Sequence, residues 1–457
     1  MQPSADPHFK RNFTLGILNG ALVNLGLAFI DPFTVLPVFI ARLGGSGAIV
    51  GLATATYAAG WFLPQLFVAP WVETRRRVLG IYTSMAFVRV TAYSALVAAV
   101  FLISPERSTL LIAAVIGCFA ITTVAAGVTG VPFLEVTSKA IPAETRSGFF
   151  GLRRLTGGAL GILAGLVVAI VLGRSDGAFW ARGPAYTGAE NLLTRVGLTG
   201  LPFPINYGVL FLFGTVFAAL GYAVFAFFRE TDGVVRKERR SIREITFAGM
   251  RLLRRAENYR LFLMVRICWQ FTAMAFPFYA LLAFTRLGFG EASAGLFVAL
   301  WVGAGVISNW VWGKLGDAKG NRAVLVSTAI MSIAPPIAML LVLRELPGAE
   351  SEAWVFALVT LSFVVNGFAR SGRFIANMTY LLESVPQEGR PIYVGFMNTL
   401  SFPFMLSPVI GGLLVEFFSF EVLFVVSALA AIANTLLSWR LDEPRAQVAA
   451  EASVNMP

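Results

Sequence analysis

Polar residues along this chain are sparse and gather into short clusters. Between them run apolar stretches near 13–40, 47–71, 78–103, 109–134, 149–172 and 205–228, and again near 260–284, 292–313, 323–343, 353–382, 392–415 and 421–439. A helix that crosses a bilayer needs roughly 20 mainly apolar residues, and these runs supply them. They are too long and too uninterrupted for buried strands. In lipid the backbone must satisfy its own hydrogen bonds, which leaves the helix. The pattern predicts an all-α membrane protein with twelve transmembrane helices.

Composition sharpens that expectation. Of 457 residues, 57% are hydrophobic and only 13% charged, and the mean hydropathy is +0.75. So few charges cannot cover the outside of a water-soluble protein of this size, whereas lipid solvates apolar surface. The 44 glycines and 40 phenylalanines suit helices that pack closely and face acyl chains. Cys118 and Cys268 lie in apolar runs and read as small core residues, not a disulfide framework. His8 is the only histidine, so neither a zinc site nor histidine acid–base chemistry is expected, and no cofactor is. The first apolar run follows Lys10 and Arg11 directly and is too long for the core of a cleaved signal peptide.

A net charge of +11 raises the question of nucleic acid. Its distribution answers it. If the N-terminus is cytoplasmic, the segments on that side carry 23 basic residues and the opposite loops 7. That bias fits the positive-inside rule, places both termini in the cytoplasm of a cell inner membrane, and makes the charge a topology signal. The longest polar interruption, Arg229 to Arg260, holds ten basic residues. Ile242, Ile245, Leu252 and Leu253 fall roughly on one face of a helix there, so it reads either as a basic amphipathic helix on the lipid surface or as a solvated linker. The outer stretch Gly173 to Asn206, rich in Gly and Pro, has no role legible from its residues.

The chain also repeats itself. Arg42-Leu43-Gly44 recurs as Arg286-Leu287-Gly288, Gly51-Leu52 as Gly295-Leu296, Glu73 faces Asp317, and IPAETRSGFFG from Ile141 aligns with VPQEGRPIYVG from Val385, always 244 residues on. A constant offset over four loop regions implies two six-helix halves. The expected division is 1–228 for the first half, 229–259 for a cytoplasmic basic linker, 260–440 for the second half and 441–457 for a tail.

At this point the chain resembles the major facilitator superfamily. The segment WGKLGDAKGNRAVL, Trp312 to Leu325, is similar to that family's cytoplasmic signature after the second helix of a half. Its first-half counterpart PWVETRRRVL, Pro70 to Leu79, keeps the acid Glu73 and the basic cluster but lacks the glycines. The pieces around Glu383, Pro386, Glu388 and Arg390, and around Pro142, Glu144 and Arg146, resemble the link between the fourth and fifth helices of each half. Ser407 to Gly412 is similar to a frequent helix-11 pattern. The resemblance covers nearly the whole chain and implies two pseudo-symmetric six-helix bundles. It assigns a cytoplasmic gating latch to Asp317, with Arg322 as partner and Glu383 nearby. The glycines Gly313, Gly316 and Gly320 would let helix ends approach. First-half candidates for the same role are Glu73, Arg77 and Glu135, and ordinary surface pairing of these charges is the competing reading. Gly157, Gly161 and Gly165, four apart on helix 5, read as a packing seam.

Six arginines remain within the spans, Arg89, Arg153, Arg154, Arg266, Arg370 and Arg373, and Asp31 is the one acid well inside. Such charges are expensive in lipid and face a partner or a wet cavity. Asn366, Arg370, Arg373 and Asn377 are spaced 4, 3 and 4, forming one stripe on helix 10. In the family, helices 1, 4, 7 and 10 line the central cavity. That implies a pathway containing this stripe, Arg266 and Gln270 of helix 7, Asn24 and Asp31 of helix 1, and Thr122 and Thr129 of helix 4. Guanidinium groups suit an anionic or strongly hydrogen-bonding solute, unless Arg370 and Arg373 pair with acids such as Glu383 or Glu135. With no histidine in a span, Asp31 is the candidate proton carrier, or else a structural partner of Arg89. Arg153, Arg154 and Arg266 lie near cytoplasmic ends, where snorkelling accounts for them.

These readings converge on secondary active transport of a small solute by alternating access, proton-coupled and carried out by a monomer, with a small molecule, protons and the lipid bilayer as partners and no nucleic acid. The alternatives are a channel or a lipid or peptide translocator, and a non-transporting sensor. An enzyme is not expected, since no nucleophile–base pair or metal cluster stands out, and no phosphate-binding loop points to ATP.

Overall fold

A computed structural model describes residues 8–72, 74–173, 184–232, 242–345, 352–384 and 390–444, with helices throughout and no strand among them. The chain begins with a broken helix, α1 (Phe9–Phe29) and α2 (Val35–Arg42). Long rods follow: α3 (Gly47–Val72), α4 (Leu79–Leu102), α5 (Ser108–Ala140) and α6 (Ala143–Leu172). The short α7 (Pro184–Arg195) precedes α8 (Ile205–Ala226). Beyond α9 (Ile242–Arg255) comes a second broken helix, α10 (Glu257–Ala273) and α11 (Phe276–Thr285). Then come α12 (Ser293–Met331), α13 (Ala334–Glu345) and α14 (Glu352–Ser384). The chain ends with α15 (Arg390–Ser401), a 3-10 turn at Phe402–Leu406, α16 (Ser407–Phe417) and α17 (Phe420–Trp439).

Among the described residues, eleven stretches are long and apolar enough to cross a membrane. One of them, Ser293–Arg344, has 52 residues. At about 1.5 Å per residue it is more than twice as long as the hydrocarbon core is thick. Gly320, with φ 83° and ψ 170°, divides it. Two spans meet there, which makes twelve among the described residues. The breaks inside spans have a common cause. Pro37 in α2, Pro277 in α11, Pro335 in α13 and Pro408 in α16 each sit in the first turn of the second segment. A helix start has no use for the missing N–H, so proline opens a segment there without losing a bond.

The duplication is visible in the elements. Helices α5 and α14 have 33 residues each, and 352 − 108 and 384 − 140 both give 244. Helix α1 ends at Phe29 and α10 at Ala273, again 244 apart. The turns after α2 and α11 both use a glycine in the left-handed region, Gly44 at φ 78° and Gly288 at φ 67°.

Contacts divide the chain into two compact units, residues 1–239 with 280–302, and residues 240–279 with 303–457. In the first, α1 lies against α6 and α8, and α5 against α3 and α4, around Tyr82, Val136, Tyr222 and Phe225. The glycine seam of α6 is used as expected. A Cβ at Gly157 would come within 2.8 Å of Asn24, one at Gly161 3.0 Å from Val302, and one at Gly165 2.6 Å from the Gly295 carbonyl. Helix α7 lays Tyr186, Ala189 and Leu193 on Leu166, Ala169 and Ile170 of α6, giving part of the outer stretch a packing role. In the second unit α10 packs on α17, and α13 on α14 and α17, around Tyr259, Phe262, Trp312, Tyr380 and Phe396. Outward-facing Phe87, Leu102, Ile307, Trp310, Phe417 and Leu429 are all more than 60% exposed, a surface that lipid solvates and water does not. The protein is an integral multi-pass membrane protein.

Candidate functional site

The break in the first helix is organised by Asp31. Its side chain is buried, and Oδ1 accepts from Phe33 N, Thr34 N and Thr34 Oγ1, each at 2.9 Å. A carboxylate in this position satisfies the N–H groups of the turn that leads into α2, where the helix dipole also favours an anion. Thr54 of α3 closes the break from the other side by donating to the Pro32 carbonyl at 3.0 Å. The suggested pairing of Asp31 with Arg89 does not occur, since Arg89 forms no ion pair among the described residues. Its guanidinium lies 4.4 Å from the centre of the Tyr222 ring, with Tyr82 and Tyr93 beside it. Aromatic faces stabilise this buried cation in place of a carboxylate.

The remaining polar residues of this unit are partly consumed by their own helices. Thr122 and Thr129 are buried and donate to Phe119 and Ala126 carbonyls at 2.7 and 2.8 Å. Asn24 donates to the Gly20 carbonyl at 2.7 Å and packs on Gly157. Arg153 corrects the snorkelling reading. It reaches inward from α6 to the Gly16 carbonyl at 2.9 Å and Asn19 Oδ1 at 2.7 Å, over the ring of Phe133. It is a clasp between α6 and α1.

In the second unit the helix-10 stripe lies on α14 and splits. Arg373 is 1% exposed. It donates to the Val265 carbonyl at 3.0 Å and Asn434 Oδ1 at 3.4 Å, and lies 5.1 Å from the Trp269 ring centre. It therefore ties α14 to α10 and α17, and pairs with neither Glu383 nor Glu135. Arg370, Asn366 and Asn377 stay half-buried, with Asn366 donating to the Ser362 carbonyl at 2.8 Å. Arg266 likewise turns inward, to Asn398 Oδ1 at 3.0 Å, and does not snorkel. Gln270 is half-buried, and its backbone carbonyl accepts from Ser407 at 2.8 Å.

The cytoplasmic signature also rearranges its assigned roles. Asp317 is exposed and makes no hydrogen bond or ion pair among the described residues. Arg322 donates its backbone N–H to Glu443 at 3.0 Å and its guanidinium to the Trp439 carbonyl at 2.6 Å. Glu383 accepts from Asn321 at 2.9 Å, and Asn321 in turn accepts from Thr379 at 2.7 Å. Of the three glycines only Gly320 is sterically required. It sits at φ 83° and any Cβ would collide with the Glu443 carboxylate, whereas a Cβ at Gly313 would meet nothing and one at Gly316 only ordinary contacts. In the first unit Glu230 accepts from Val78 N at 2.9 Å and Leu79 N at 2.8 Å, and from Lys139 at 2.9 Å. Arg77 pairs with Asp232 at 2.6 Å, and Glu135 lies 3.4 Å from Lys139. Glu73 lies outside the described residues.

Two carboxylates thus cap the start of a span in each half, and neither was singled out from the sequence. Val78 and Arg322 are 244 apart, and each begins the third span of its half with its N–H on a glutamate that follows the sixth span. The available signal was the acid just beyond the last span of each half, Glu230 and Glu443. No group of three or more metal-binding side chains is gathered among the described residues.

A sequence model described as Major Facilitator Superfamily matches residues 192–401 and 261–454, together more than half of the chain. The Na(+), Li(+), K(+)/H(+) antiporter of Planococcus maritimus is 27% identical over 172 residues, 37% of this chain and 38% of that protein. The ectoine/proline transporter ProP of Corynebacterium glutamicum is 33% identical over 94 residues, 20% of this chain and 18% of that protein. The chain therefore spans well under half the length of these relatives. Solved structures match across the fold: a D-xylose-proton symporter has a TM-score of 0.65 at 14% identity, covering 95% of this chain and 99% of that one. The nucleoside transporter NupG has a TM-score of 0.64 at 14% identity, covering 93% and 99%.

Proposed function

The chain belongs to the major facilitator superfamily, and from that premise we propose that this secondary transporter, which is not an enzyme, couples movement of a small polar or anionic solute to protons. The observation that carries the reading is the capped break of helix 1. Asp31 is a buried carboxylate whose one oxygen holds three donors that shape the α1–α2 junction. Adding a proton to this group removes the negative charge that those donors answer, and loosens the start of α2. Protonation and helix geometry are thereby linked at one residue, which is what coupling of an ion to alternating access requires. Names of relatives agree, since an antiporter and a symporter that move protons are among them.

Arg370, half-buried on α14 with Asn366 and Asn377, is the guanidinium we assign to the solute. Arg373 serves the packing instead. The protein works as a monomer in the cell inner membrane, with both termini cytoplasmic, in line with the basic bias of the inner segments. The test is uptake of a panel of labelled solutes into liposomes under an imposed pH gradient. Asp31→Asn keeps an acceptor for the cap but cannot take up a proton. It should retain solute exchange at equal pH and lose acceleration by the gradient. Gradient-driven uptake by the variant at the wild-type rate would remove Asp31 from the coupling.

A further inference from the structure

We propose that the outward face of α9 is a docking surface for the headgroups of anionic phospholipids. This inference is independent of what the protein transports. Helix α9 has two opposed faces. Gly249 packs against the ring of Phe396 with no room for a side chain, and Met250, Leu252, Leu253 and Ala256 join the core of the second unit. Leu252 and Leu253 are therefore spent on protein and not on lipid; the side chains of Ile242 and Ile245 lie outside the described residues. On the other side Phe247 is 62% exposed, and Arg251, Arg254 and Arg255 are exposed as well. Spacings of four, three and one place these four residues together, roughly half a turn from the packed face.

Three facts say what covers them. None of the three arginines hydrogen-bonds or pairs with another described residue, and no acidic residue occurs between Ile245 and Ala256. The helix is joined through the single extended residue Ala256 to α10, whose span begins at Glu257. The arginines therefore sit within about two turns of the start of a membrane segment, at the depth of headgroups. Finally, an outward phenylalanine among arginines is the composition of a helix lying in the interface, with the ring at the acyl boundary and guanidinium groups forked onto phosphates.

The experiment uses the full chain in detergent, titrated with short-chain phosphatidylglycerol, phosphatidylcholine or glycerol phosphate. Thermal midpoint and lipid retained in native mass spectrometry are read. The wild type should prefer phosphatidylglycerol over phosphatidylcholine by about ten-fold or more, since each arginine near an anionic surface contributes about five-fold. R251Q/R254Q/R255Q should erase the preference, and the corresponding triple lysine variant should keep most of it. If the triple glutamine variant does not fold, R254Q alone should lower the preference by about five-fold. A wild type without preference, a glutamine variant that keeps it, or equal stabilisation by glycerol phosphate would each overturn the assignment.

Discussion

Arg370 and Arg373 are three residues apart and play different parts. Three steps along a helix leave two side chains about 60° apart, enough for one to enter the bundle while the other stays at its edge. Arg373 donates to Val265 and Asn434 from a fully buried position. Arg373→Gln removes these buried bonds and should destabilise the protein by about 2–3 kcal/mol, the worth of buried bonds to a charged group. A clear fall in the thermal midpoint of Arg373→Gln in detergent, and poorer solute uptake by Arg370→Gln, is the expected pair of results. The spacing made the stripe legible from sequence. Which arginine turned inward was not, because that depends on Val265 and Asn434, 108 and 61 residues away. Arg153 and Arg266 were hidden for the same reason: a span-end arginine looks identical whether it snorkels to water or clasps a carbonyl.

At the scale of elements, the apolar runs, the proline-opened breaks and the 244-residue offset were all written in the chain, because each depends on local periodicity or local chemistry. The cytoplasmic caps were not. Glu230 and Glu443 are 213 apart, 31 fewer than the offset, because the outer stretch between α6 and α8 has a much shorter counterpart between α16 and α17. A search at constant offset passes over them. Their role yields a direct contrast with the motif residue. Glu443→Ala removes the acceptor for Arg322 N and should cost about 0.5–2 kcal/mol, as loss of a helix cap does. Asp317→Ala, at an exposed position, should leave stability within about 0.5 kcal/mol. Denaturation of the two variants side by side decides between them; equal losses would return the structural role to Asp317.

Under the alternating access proposed above, a duplicated helical fold has to break and remake contacts while its bundles stay intact. An ion pair joins Arg42, the last residue of α2, to Glu291, just before α12, at 3.3 Å. It lies in the same unit as the close crossing of Gly165 and Gly295. Arg42→Cys with Glu291→Cys, in a background where Cys118 and Cys268 are serine, allows a short reducible cross-linker to hold this contact shut. Uptake into liposomes before and after cross-linking is the measurement. Alternating access predicts that the bridged protein still binds solute, stops transporting it, and recovers when the bridge is reduced. Undiminished uptake by the bridged protein would contradict the account.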